Sequence, residues 1–453
     1  NTAYGRTPNT GYWTAASATA TSITDGTRLN ASTTNWTGAN VAIRTAAWHL
    51  DRTTVTSASG STINFSQPDY KPEAQNGYFF QNHPYTLDLQ NEWSSVPGSK
   101  KVTIYSASAP TNVKVPTIEY GADLNGKNYI TFDGLNFQGF NSHGVYVNGS
   151  TGVTVQNSDF SFIADSGVYT YTNTGDSLTV SNSTFNEINS GGVITRGSPY
   201  TTVQNSTFNK IGNLEGMAGG PQSGGDVNYT AVQVSNYSKV LYNTITNVGY
   251  VGIRFNGPGV LVQGNYVDRT TYVKDDGGGI YTFPNEGDYD EPVEYLGSDR
   301  RTVRDNIVLN AIGAPWGKKP SPNGLLGKSE GMCIYNDGTS SYTDYLNNTM
   351  AYCRWGYFSN GGKYNTISGN TIYMVPNAVY GSSTGDIYGI TQTDYKGETW
   401  TTLEGNNYTN NTIVLGATNA GLGCGVANYA LEILNRGNTL PSDWTSSNNI
   451  YAN

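Results

Sequence analysis

The feature that most constrains this chain is an internal repeat. The segments VTVQNSDFSFI from Val153, LTVSNSTFNEI from Leu178 and TTVQNSTFNKI from Thr201 share one pattern: a short alternating strand, an Asn, and a second short strand. Looser copies follow at Val240, Val260, Arg301, Tyr342, Tyr364 and Asn407. The anchor residues read as Asn157, Asn182, Asn205, Asn243, Asn265, Asn306, Asn348, Asn370 and Asn411, spaced 25, 23, 38, 22, 41, 42, 22 and 41 apart. A basal period of about 22 to 25 residues, lengthened by insertions, emerges from these spacings. A third element follows each anchor, as in HGVYV at His143, SGVYT at Ser166, VGIRF at Val251 and GGIYT at Gly278. Three short strands and one constant polar corner describe a coil of a parallel β-helix, with coils stacked about 4.8 Å apart. Asn side chains at that corner are predicted to hydrogen-bond along the axis as an amide ladder.

Rival architectures fit less well. A leucine-rich solenoid requires Leu where this chain has Val, Ile and Phe, and a propeller blade requires about 40 residues or more. Composition agrees with an all-β solenoid: 55 glycines, 34 tyrosines and only 13% charged residues argue against helical bundles. Residues 1–115 lack the repeat and are expected to form a non-repetitive N-terminal cap packed on the solenoid. The helix itself is expected over 116–417 with inserted loops, and a C-terminal cap over 418–453. With 25 basic against 34 acidic residues the net charge is -9, which provides no cationic field for nucleic acid or an anionic membrane. No apolar run approaches bilayer length. The chain opens at Asn1 without an apolar leader, so a soluble protein that is secreted, periplasmic or on the cell surface, its signal peptide removed, is the expectation. Cys333, Cys353 and Cys424 lack metal-ligand spacing and read as small core residues.

In a solenoid, insertions map to loops, and loops gathered on one face build binding sites. The repeat is interrupted at Gly212–Asp226, Pro284–Asp299, Ala314–Ser329 and around Ser382–Gly405. Two segments beside these breaks, DDGGGIYTF and SEGMCIYND, align through their shared Ile-Tyr, which places Asp276 and Glu330 at equivalent positions of adjacent coils. Two carboxylates so close cannot both ionise comfortably, which is the arrangement acid–base chemistry uses. Gly277, Gly278 and Gly279 are predicted to leave room for a ligand beside Asp276. Asp275 competes with Asp276. Asp337, seven residues beyond Glu330, joins the site only if the chain bends at Asp337-Gly338. Arg254 is predicted to point outward on the preceding coil, to pair with an aspartate or contact substrate. Tyr146, Tyr169, Tyr281 and Tyr335 form an outward aromatic strip suited to stacking on sugar rings or to stabilising the sheet. Trp316 and Lys318, with Lys319, lie on an inserted loop that either walls the cleft or decorates it. The acidic run DYDEPVE at Asp288 offers oxygen ligands to Ca²⁺, although a solvated loop is the commoner meaning of such a run. His49, His83 and His143 are isolated in sequence, so no metal site and no cofactor are predicted from them.

The NSTF-type coils over residues 128–415, with DDGGGIYT and GMCIYNDG, resemble bacterial right-handed parallel β-helix proteins of the pectate-lyase-like superfamily. Within that group the chain looks most like glycoside hydrolases of the family 120 and family 141 kind. Where such a family member often carries two acidic residues after Ile-Tyr, this chain has Asn336-Asp337. The resemblance implies hydrolysis of a plant or algal polysaccharide or oligosaccharide by a monomeric enzyme with a carboxylate pair: Asp276 as nucleophile or base and Glu330 as general acid, or Asp337 as the partner of Asp276. Two alternatives stand beside it. One is a polysaccharide lyase using Arg254 or Lys274 as base, with Ca²⁺ on the uronate. The other is a noncatalytic carbohydrate-binding β-helix.

Overall fold

The computed structural model describes residues 3–29, 34–96, 100–171, 175–195, 197–218, 228–283, 299–319, 330–374, 387–393, 403–415, 428–434 and 445–452. Two compact units divide them: Asn1–Thr117 with Leu214–Asn228 and Pro315–Lys328, and Ile118–Asn213 with Tyr229–Ala314 and Ser329–Asn453. Strands dominate both. Among the described residues the one helical element is a short 3₁₀ turn, Pro84–Thr86.

The first unit is built on an eight-stranded antiparallel sheet whose centre is formed by Gly77–Gln81, Asn40–Ala46, His49–Ser59 and Thr62–Phe65. It has a core of its own, in which Trp36 stacks flat on Phe80 at 4.0 Å and Val41, Ile43, Ile63 and Tyr78 are buried. Two later segments belong to this unit. Glu215 pairs with Arg6, and the Gly317 carbonyl accepts from the Gly77 amide at 2.6 Å.

The second unit is a right-handed parallel β-helix of three sheets, each of eleven parallel strands. The first sheet runs from Tyr120–Asn125 to Asn428–Leu434, so the region expected as a C-terminal cap contains an eleventh set of strands, completed by Thr445–Ser447 and Ile450–Ala452. Along this sheet one column faces the interior: Val145, Val168, Val193, Val232, Ile253, Ile280, Ile334, Tyr357 and Ile390. From the third sheet, Phe137, Phe160, Phe185 and Phe208 stack at 4.7, 4.6 and 4.6 Å with nearly parallel rings. That stack explains the small residue before each core valine. A Cβ on Gly167 or Gly192 would stand 2.6 Å from the Phe185 or Phe208 ring.

The amide ladder exists, but its register in the early coils is one residue later than the anchors predicted. Asn243, Asn265, Asn306, Asn348, Asn370 and Asn411 each pass a side-chain Nδ2 hydrogen bond to the Oδ1 of the next, ending at Asn449, at 2.9 to 3.1 Å. In the NS coils the ladder position is held by Ser158, Ser183 and Ser206, whose hydroxyls accept from the backbone amides of Leu135, Ser158 and Ser183 one coil earlier. The corner has two residues with different demands. The first turns through left-handed backbone, as at Asn182 (φ 49°), Tyr242 (φ 56°) and Gly264 (φ 69°), and the second supplies the ladder. Asn suits both positions, so an Asn-Ser pair points to the wrong one. Cys333 and Cys353 lie in the core, as their sequence context suggested, but not as free thiols. Cys333, on strand Gly331–Asn336, and Cys353, just beyond strand Thr349–Ala351, have Cα atoms 5.6 Å apart and form a disulfide, and Cys424 lies outside the described residues.

The two corner positions are separable by mutation. Asn306→Ala removes four side-chain hydrogen bonds and strands the buried Asn265 amide, which should cost about 2 to 4 kcal/mol in urea unfolding. Asn182→Gly, at the exposed left-handed position, should be neutral within about 0.5 kcal/mol.

Candidate active site

Strands Gly277–Thr282 and Gly331–Asn336 pair in parallel with Gly277 opposite Gly331, Ile280 opposite Ile334 and Tyr281 opposite Tyr335. Asp276 and Glu330, one residue ahead of each strand, therefore occupy equivalent corners of adjacent coils, and both are partly exposed. The backbone turns at Asp276 through φ 56°, and its carbonyl accepts from the Tyr250 hydroxyl at 2.8 Å. Asp275 is fully buried. Its Oδ1 accepts from the Glu330 amide at 2.6 Å and the Ala314 amide at 3.3 Å, so this carboxylate fixes the backbone that presents Glu330.

Asp337 reaches the same neighbourhood because the chain bends where the Asp-Gly pair allows it. Gly338 is left-handed (φ 59°), and the Asp337 amide donates to the Thr282 carbonyl at 2.9 Å. Its carboxylate is held from several sides: the Tyr281 hydroxyl donates to Oδ2 at 3.0 Å, while the Gly338 amide and Asn360 Nδ2 donate to Oδ1 at 2.7 and 3.0 Å. Tyr335 lies close enough to both Asp337 and Asp276 for its hydroxyl to favour their ionised forms. Tyr281 and Tyr335, adjacent at 5.3 Å, thus span by side-chain length a gap that the straight backbone would leave open.

The surroundings push the two carboxyls apart electrostatically. Burial first, then the negative charges of Asp337, Glu330 and Asp275, raise Asp276 well above the usual carboxylate range, against one opposing hydrogen bond from Tyr335. Burial also raises Asp337, but there the donors Asn360, Tyr335, Tyr281 and Gly338 favour the ionised form. Tyr281 and Tyr335 are themselves raised, chiefly by burial and then by these aspartates, so both hydroxyls stay protonated as donors.

The glycines divide by role. A Cβ at Gly277 would strike the Tyr250 ring at 2.3 Å and one at Gly279 the Val308 side chain at 2.3 Å, so packing demands both. Gly278 stands in a register column with Met332, Trp355 and Tyr388, where a Cβ would lie 3.0 Å from the Met332 carbonyl oxygen and 3.4 Å from the Tyr335 Cβ. Arg254, opposite Tyr281 one coil earlier, is buried with its guanidinium 5.5 Å from that ring's centre. Lys274 is fully buried, its ammonium 4.2 Å from the Tyr250 ring centre. The tyrosine strip is one column broken by Ile194, Gln233 and Arg254. Tyr169 stacks on His143 at 4.4 Å, four strand spacings, or about 19 Å, from Tyr281. Trp316, 70% exposed, and Lys318 belong to the first unit. The acidic run at Asp288 lies outside the described residues.

Sequence reasoning missed Asn360, Tyr250, Trp355 and Tyr388. The last two continue the aromatic surface beyond Tyr335: Phe358 lies 5.1 Å from Tyr335 and 5.5 Å from Trp355, which stacks on Tyr388 at 5.1 Å. The loose WGYFS match at Trp355 was the available signal.

Residues 120–281 match the family described as the right-handed beta helix region. No curated protein matches the sequence. Among solved structures, the chain is similar to a glycoside hydrolase at 12% identity, with a TM-score of 0.49, over 90% of this chain and 76% of the other. It is also similar to the catalytic unit of a GH87 alpha-1,3-glucanase from Streptomyces thermodiastaticus at 11% identity, with a TM-score of 0.36, over 96% of this chain and 87% of that one. A third is DFA-IIIase from Arthrobacter chlorophenolicus A6, at 11% identity and a TM-score of 0.33, over 68% of this chain and 57% of that one.

A raised carboxyl pKa in the folded state costs stability once the unfolded chain ionises. Below the ordinary Asp value of about 3.9 both states hold the proton and nothing is lost; as pH rises above it, the penalty grows. Asp276→Asn should therefore raise the thermal midpoint at pH 7 but not near pH 3, the gain being about 1.4 kcal/mol for every tenfold weakening of the acid that folding imposes. Unfolding followed across that pH range checks it; a gain independent of pH would contradict it.

Proposed function

We propose that the β-helix unit is a glycoside hydrolase acting on a polysaccharide or oligosaccharide, with Asp276 as general acid and Asp337 as its ionised partner. The observation that carries this reading is the unequal surroundings of two neighbouring carboxyls, Asp337 held by three hydrogen-bond donors and Asp276 set among negative charges. Asp337 has amide and hydroxyl donors for an anion, whereas Asp276 faces three negative neighbours. The proton belongs on Asp276. These roles differ from the sequence-based assignment, in which Asp276 was base or nucleophile and Glu330 the acid.

In the reaction, Asp276 gives its proton to the glycosidic oxygen as the bond to the anomeric carbon breaks, and Asp337 takes a proton from the water that attacks that carbon. Glu330 acts through its charge, holding the proton on Asp276. Trp355, Tyr388 and Phe358 offer a partly exposed platform for neighbouring sugar rings. Because Asp337 acts on water as a base rather than attacking the sugar itself, inversion at the anomeric carbon is the expected outcome. Burial of Lys274 beneath Tyr250 and of Arg254 beside Tyr281 weighs against either as the base of a lyase. The Cys333–Cys353 disulfide suits an oxidising compartment outside the cytoplasm. Among the described residues no helix is long and apolar enough to cross a membrane.

The test is digestion of plant and algal polysaccharides, following new reducing ends together with the ultraviolet absorbance of unsaturated uronate. Reducing ends without that absorbance are expected, and rising absorbance overturns hydrolysis in favour of elimination. Asp276→Asn and Asp337→Asn should each lower kcat by roughly 10²- to 10⁴-fold, whereas Trp355→Ala should mainly raise KM. Activity should fall on the alkaline side as Asp276 loses its proton. Glu330→Gln removes a like charge, lowers the Asp276 pKa, and should move that alkaline limb to lower pH; an unmoved limb contradicts the role of Glu330.

A further inference from the structure

The first unit brings together a second cluster that hydrolysis leaves unused. His49 and Asp51 stand two apart on strand His49–Ser59 and so share one face, and Asp69 comes from the segment after strand Thr62–Phe65. His49 Nδ1, Asp51 Oδ1 and an Asp69 carboxylate oxygen all lie within 4.8 Å of one another. His49 and Asp51 are 94% or more buried, yet Nδ1 of the one and Oδ1 of the other have no hydrogen-bond partner among the described residues. Buried polar atoms rarely remain in that state.

The two atoms face each other at 3.5 Å. A proton shared between them would draw them to roughly 2.7 to 3.2 Å. The observed gap instead matches the separation of about 3.4 Å between two ligands, each about 2.1 Å from a tetrahedral ion. The surroundings hold the donors in place, as outer partners do at metal centres. Asp51 uses its other oxygen, Oδ2, to accept from the Thr45 hydroxyl at 2.5 Å and the Tyr70 amide at 3.3 Å, leaving Oδ1 turned to His49. The Tyr70 ring lies on the His49 imidazole at 4.1 Å. Both contacts fix the residue next to Asp69.

We propose that His49, Asp51 and Asp69 bind one divalent transition-metal ion of the Zn²⁺ or Mn²⁺ class. One imidazole with two carboxylates suits such ions better than Mg²⁺ or Ca²⁺, which take oxygen ligands. The exposed Asp69 closes the site from the solvent side and leaves a position for water. The ion clips the segment carrying Asp69 and Tyr70 to the strand edge.

The experiment uses the full chain, stripped with chelator and then dialysed against Zn²⁺, with bound metal measured by mass spectrometry and the thermal midpoint recorded. The wild type should retain one Zn²⁺ per chain and gain thermal stability. Asp69→Ala, a change at an exposed residue, should fold normally but lose at least tenfold in Zn²⁺ affinity and the stability gain; His49→Gln should do the same. Absence of stoichiometric Zn²⁺ in the wild type, or equal Zn²⁺ affinity in folded Asp69→Ala, overturns the proposal.

Discussion

The structure of the β-helix unit depends on one constraint, the close vertical superposition of successive coils. Parallel strands repeat at about 4.8 Å, and any residue type that tolerates its own image above and below becomes a column. The corner ladder enforces this superposition. Each Asn amide donates upward to the next, and also to a backbone carbonyl of the preceding coil, as Asn306 does to Val262 and Asn348 to Val303. A coil displaced by one residue would leave two buried amides unpaired, at about 1 to 3 kcal/mol each. Inside, the Phe160, Phe185 and Phe208 stack makes the same demand through shape.

That superposition also builds the chemistry. Carboxylates that repel each other are placed at equivalent corners by pairings that have nothing to do with charge, because Ile280 must lie under Ile334. The energy of stacking apolar columns thus holds Asp276 near Glu330, whose charge adds to burial and to Asp337 in raising the Asp276 pKa. Asp337 enters from the opposite end of the neighbouring strand. Its three hydrogen-bond donors make it the natural anion of the group, and the difference between the two aspartates is a difference in donors rather than in residue type.

Much of this was legible in the sequence. The Ile-Tyr pair recurs in both segments, so the Asp276–Glu330 relationship followed from register. The position of the ladder within the corner did not, because Asn is favoured both for left-handed backbone and for a ladder, and NS and NN pairs look alike. Asp337 depended on a bend and on the reach of two tyrosine side chains, and neither is encoded in strand periodicity. Asn360 was invisible for the same reason. The disulfide could have been found: Cys333 and Cys353 are 20 residues apart, close to one coil. His49 looked isolated because its partners are Asp51, hidden in a strand, and Asp69, on the far side of a hairpin.

The central claim is that at neutral pH one proton resides on Asp276 while Asp337 is ionised. Infrared difference spectroscopy of the carboxyl C=O stretch reads this directly. The account predicts a protonated carboxyl band at pH 7 that disappears in Asp276→Asn and persists in Asp337→Asn. A band that persists in Asp276→Asn, or no protonated carboxyl at all, would contradict it.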